Sequence, residues 1–133
     1  MVETEWLWFL GVFLISNGMK ALLSNYRQSP RKVRLVATSL VGKKVDVAMA
    51  NLDFLTKRAS EPLRKLLASA VANAKAQGID TTNLIISKAV VNAGYTLKRR
   101  MPRARGTAFP INKRTSHVLI ELAVAKPKET KKK

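Results

Sequence analysis

The chain has no cysteine, a single histidine and only eight Asp and Glu in 133 residues. Without cysteine, disulfides, zinc–thiolate sites and thiol nucleophiles are excluded. The lone His117 cannot build a metal cluster. No P-loop, no G-x-S-x-G and no dinucleotide-binding fingerprint occurs. From Met19 onward six carboxylates are left, Asp46, Asp53, Glu61, Asp80, Glu121 and Glu129. No two of them are spaced like a paired acid and base, and Asp46 and Glu61 have plain roles at helix starts. These absences speak against an enzyme and imply no catalytic residue, cofactor, metal or small-molecule substrate. His117, at a strand start beside Thr115 and Ser116, reads as a hydrogen-bonded structural residue. A long hydrophobic run is missing too. Trp6 to Ile15 is ten residues, against roughly 20 for a helix that spans a bilayer.

What the sequence has in excess is positive charge. Its 25 Lys and Arg give a net charge of +17. Such an excess repels itself unless a polyanion or an anionic surface neutralises it. Residues 1–18 stand apart, with both tryptophans, two glutamates and no basic residue. Three readings fit them: an extension ahead of a true start at Met19, which is preferred, a short interfacial anchor, or an extra core element. The length and the 47% apolar content suit one domain with a core, from 19 to 125. The tail 126–133, "KPKETKKK", reads as basic and disordered.

The pattern from Met19 predicts an α+β fold: three helices packed on a small antiparallel sheet, with a long extended β-hairpin arm at about 94–115. "KALLSNYRQ" reads as a short strand. In "SPRKVRLVATSLVG", Ser29 suits a cap, Pro30 the first helical position and Gly42 the end. Val33, Val36, Ala37, Leu40 and Val41 form its apolar stripe. A second helix starts from Asp46 as cap and turns Ala48, Leu52 and Leu55 inward, with Met49 and Phe54 also read as core. A third runs from Ser60 as cap, with Pro62 in its first turn and Gly78 as its stop. Its stripe is Leu63, Leu66, Leu67, Ala70, Val71 and Ala74. After the turn "IDTTN" comes strand material from Leu84 to Leu97 and again from His117 to Val124, where Val118, Ile120, Leu122 and Val124 share a face.

Between those strands lies the densest charge. "KRRMPRARGTAFPINKR" holds Lys98, Arg99, Arg100, Arg103, Arg105, Lys113 and Arg114, with no acidic residue. A bland reading is a solvated surface. Two features favour a partner: the charge sits on an excursion from the core, and arginine, whose planar fork suits phosphate and base stacking, predominates. Pro102 and Pro110 cannot donate to a ladder, so an open or irregular tip is expected. Gly94 and Gly106 are read as permitting bends and close approach of a partner. An arm of roughly 30 Å that cannot fold alone would be ordered by folded RNA. A membrane-surface protein anchored by Trp6 and Trp8 is the competing reading, and no DNA-reading motif is visible.

At "NYRQSPRKVRLVA", "ASAVANA" and above all "MPRARG…INKRTSH", the chain resembles the large-subunit ribosomal protein twenty-two family, over roughly Ala21 to Val124. The resemblance implies a structural protein of the large ribosomal subunit that binds 23S-type rRNA and aids assembly. It places the globular domain near the exit of the peptide tunnel and the hairpin tip at the tunnel wall. Carried over by position, Arg31, Lys32 and Arg34 of the first helix face rRNA, with Lys98, Arg99, Arg100, Arg103, Arg105, Lys113 and Arg114 on the arm. Leu97, Lys98 and Arg99 match a segment associated with macrolide tolerance. The implied partners are the rRNA, neighbouring large-subunit proteins near the tunnel exit and the nascent chain. The implied location is a cytoplasmic or organellar ribosome. The sequence departs from the family at Thr107, where many bacterial members have arginine, and at "FPIN", a less basic return strand. The family has no counterpart to residues 1–18.

Overall fold

Val33, Val36, Ala37 and Leu40, spaced to share one side of a helix, are all buried against a sheet. They belong to a computed structural model that describes residues 19–124. The readings made for residues 1–18 and for the tail 126–133 lie outside the described residues. The elements follow in the order β1 (Lys20–Tyr26), α1 (Pro30–Thr38), α2 (Val45–Phe54), α3 (Ser60–Ala76), β2 (Leu84–Pro102) and β3 (Ala108–Val124). A single 3-10 turn, Thr81–Asn83, leads into β2. The strands form one antiparallel sheet in the order β1-β3-β2. The helices pack on one face, as the sequence predicts.

The last strand of the chain is thus the central one, and its inward residues Val118, Ile120 and Leu122 lie at the middle of the core. From α3, Leu63, Leu67, Ala70 and Ala74 are buried over them. Its alanines allow close approach, and Asn73 Nδ2 donates to the Lys20 carbonyl at 3.0 Å to hold α3 against β1. Gly78, at φ 72°, ends the α3 turn in the left-handed region where a side chain would be strained. The free edge of β2 is covered at its start: Gly42 N–H donates to Ile86 O at 2.8 Å, and Ile86 N–H to Lys43 O at 3.0 Å.

Several local expectations change. α1 stops at Thr38 rather than at Gly42, so Val41 leaves the stripe and is 45% exposed. None of the three expected caps makes a side-chain bond. Ser29 holds the N-cap position of α1 without one, while Asp46 and Ser60 lie inside the first turns, after Lys44 and Ala59. Phe54 is not core: it is 87% exposed. Two positions beyond the buried Leu52, it points about 200° around the helix, away from the sheet. Val124 is half exposed at the sheet end, whereas Val71 and Leu55 are partly buried against the core.

The largest difference lies in the arm. β2 and β3 stay paired through seven rungs beyond the core, from Thr96–Arg114 to Pro102–Ala108, with Pro110 opposite Arg100. The prolines therefore do not open the ladder. Each strand of a two-stranded ribbon turns alternate N–H groups to solvent, and a proline there removes no ladder bond. Only residues 103–107 leave the ribbon. They form a loop in which Arg103 N–H donates to Thr107 O at 2.8 Å and Arg105 adopts φ 58°.

Candidate nucleic-acid interface

Where the arm leaves the sheet, the ladder steps from Ala93–Ser116 to Thr96–Arg114. Gly94 and Tyr95 thus face the single residue Thr115, a bulge of the kind that bends and twists a ribbon. Thr115 Oγ donates to Tyr95 O at 2.7 Å and closes the bulge. A Cβ on Gly94 would come within 2.5 Å of that hydroxyl and 2.9 Å of His117 Nε2. The close approach expected at Gly94 is therefore to its own chain rather than to a partner. On the other side of β3, Ser24 and Asn25 form a second bulge opposite His117. There Asn25 N–H donates to His117 Nδ1 at 3.2 Å, the structural role expected of that histidine.

The bulge sets the arm beside the start of α1. A groove of about 550 Å³ lies between them, and Arg31, Lys32, Arg34 and Arg114 converge on it from the helix and from β3. Ser29 also lines it, and α1 has no acidic residue in its first turn. The partial positive charge of the helix start adds to the four cations. Arg34 is also a structural tie, because its Nε and Nη2 both donate to Val91 O, at 3.0 and 2.9 Å, and hold α1 to β2.

A neighbouring hollow of about 660 Å³ shares Ser29, Lys32 and Arg114 and adds Lys113, Arg27 and Arg58. Sequence reasoning missed the last two. Arg27 precedes the expected helix start and Arg58 sits in the α2–α3 connection, so only the fold brings them to the site. Tyr26 positions that connection by donating its hydroxyl to Arg58 O at 3.2 Å. Burial raises the Tyr26 pKa above its ordinary 10.0, outweighing the lowering by Arg58.

Lys98, Arg99, Arg100, Arg103 and Arg105 lie further out and are all exposed. They do not join the groove but continue it along the arm. Leu97, half buried, pairs with Lys113 at the root of the ribbon. Among the described residues the ion pairs are Arg64–Asp53, Lys65–Glu61 and Lys88–Glu121. None involves the groove or the ribbon, and no acidic residue occurs between Lys88 and Glu121. A continuous row of cations without carboxylate partners suits a polyphosphate ligand. Among the described residues no helix is long and apolar enough to cross a membrane.

The family profile described as ribosomal protein L22p/L17e matches residues 21–123, nearly all of this fold. The chain belongs to that family. As an L22p/L17e protein it is a structural component of the large ribosomal subunit that binds large-subunit rRNA and lies among ribosomal proteins. The family is a structural, non-enzymatic one, located in the ribosome of the cytoplasm or of an organelle.

Proposed function

We propose that this L22p/L17e protein anchors its globular domain near the peptide exit of the large subunit and extends its arm through rRNA to the tunnel wall. In this reading Arg31, Lys32, Arg34 and Arg114 grip phosphates at the root of the arm, and Lys113 with Arg27 and Arg58 widens that grip. Lys98, Arg99, Arg100, Arg103 and Arg105 neutralise rRNA along the arm. The tip loop faces the nascent chain, Leu97, Lys98 and Arg99 lie closest to the macrolide site, and the arm's ordering by rRNA assists assembly in a cytoplasmic ribosome.

The observation that carries the reading is the one-layer ribbon of seven rungs beyond the core, basic and free of carboxylates, continuous with a basic groove. A ribbon of that kind is marginal by itself in water and gains order from a partner with complementary charge. The test is deletion of Leu97 to Arg99 in ribosomes that carry this protein. Altered macrolide sensitivity with intact subunits is expected. Unchanged sensitivity, with the shortened chain present in the subunits, would contradict the placement of the tip.

A further inference from the structure

Partners across an antiparallel ribbon point to the same side, and successive residues alternate. The register Leu97–Lys113, Arg99–Ile111 and Met101–Phe109 therefore gathers Leu97, Met101, Phe109 and Ile111 on one face of the arm, with Arg99 and Lys113 beside them. Lys98, Arg100 and Arg114 take the other face. Cations thus lie on both faces, but the large apolar side chains of the arm are collected on one of them. Near the tip, Phe109 is 58% exposed and Met101 opposite it 46%. A two-stranded ribbon has no second layer to cover them. The Arg103 guanidinium sits over the Phe109 ring, 5.7 Å from its centroid.

We infer that Phe109, backed by Met101 and flanked by Arg103, is a stacking platform for one unpaired nucleobase of the rRNA. The inference rests on the rRNA-binding reading of the arm and adds a base contact to its phosphate contacts. Charge selects the occupant. The surrounding cations concentrate a polyanion, and an aromatic ring beside a planar guanidinium is the surface on which single-stranded bases stack. Stacking tolerates any base, so the platform orients the strand rather than reading its sequence.

The test uses the full chain and transcribed large-subunit rRNA, with Phe109→Ala, Phe109→Leu and Phe109→Trp. Leucine keeps apolar bulk without a π-face, and tryptophan keeps the π-face. The Ala and Leu variants are expected to bind about 5- to 140-fold more weakly, the range that loss of one base–aromatic stack implies. The Trp variant should bind within about two-fold of wild type, because every aromatic face stacks. Its emission, after subtraction of a parallel wild-type titration for Trp6 and Trp8, should be quenched on binding. All variants should keep the wild-type salt slope, since no phosphate contact is removed. Equal affinity of all variants would overturn the platform and leave the rRNA reading standing, as a face serving the nascent chain would do. A Leu variant as tight as Trp would equally overturn it. Failure of the wild-type chain to bind at all would remove the rRNA reading and this inference with it.

Discussion

Arg34 and Arg31 lie three positions apart on α1 yet answer to different forces. Arg34 gives two hydrogen bonds to one carbonyl of β2, whereas Arg31 is exposed on the groove. Arg34→Ala should therefore lower the stability of the domain by about 1–2 kcal/mol, the range for charge-assisted bonds that solvent partly reaches. Arg31→Ala should leave thermal unfolding unchanged and weaken rRNA binding. Equal loss of stability in both variants would refute the distinction. Gly94→Ala should destabilise by about 1–3 kcal/mol through overpacking against Thr115 and His117. A melting temperature equal to wild type would show that the bulge yields. At this scale the sequence was only partly readable. Arg31 and Arg34 look alike as letters, and of the three expected caps Ser29 holds its position without the bond while Asp46 and Ser60 fall inside the first turns. Gly94 was legible as a site of close approach, but the group approaching it is set by the register of β3.

The elements themselves were legible wherever burial is periodic. The stripes of α1 and α3 and the alternation of β3 repeat at helical or strand spacing, because each element must turn one face to the shared core. Phe54 breaks the rule: it lies off the side that Ala48 and Leu52 bury, and its aromatic character does not bring it into the core. The arm was legible as a hairpin, but its long ladder was not, since proline in a ribbon is harmless or harmful according to which way its nitrogen faces. Deletion of Leu97 to Arg99 removes an odd number of residues from β2. Re-pairing by an odd step would turn residues 100–102 over to the opposite face, so the tip would be rebuilt while the core is untouched. The shortened protein should keep the far-ultraviolet circular dichroism of its helices and its main unfolding transition. Loss of that transition would make the arm part of the folding unit.

Across the whole molecule, charge and core are segregated. Among the described residues the three ion pairs lie on the helices and in the sheet, whereas α1's start and the arm carry cations with no carboxylate partner. Composition alone, through a net charge of +17, called for a polyanion or an anionic surface, and the motif around Met101 to His117 pointed to the family. Neither revealed the groove, because Arg27, Arg58 and Arg114 are brought beside Arg31 and Lys32 only by the bulged strand and the α2–α3 connection. The central claim is that the groove and the arm together neutralise rRNA phosphates. It is tested most directly by the salt dependence of binding to a large-subunit rRNA fragment, for the wild-type chain and for variants neutralised singly at Arg31, Arg58, Arg100 and Arg105. The account predicts a steep fall of affinity with salt, and a slope reduced by about 0.7–0.9 for each charge removed at either place. A flat salt response, or equal affinity for a random duplex, would contradict it.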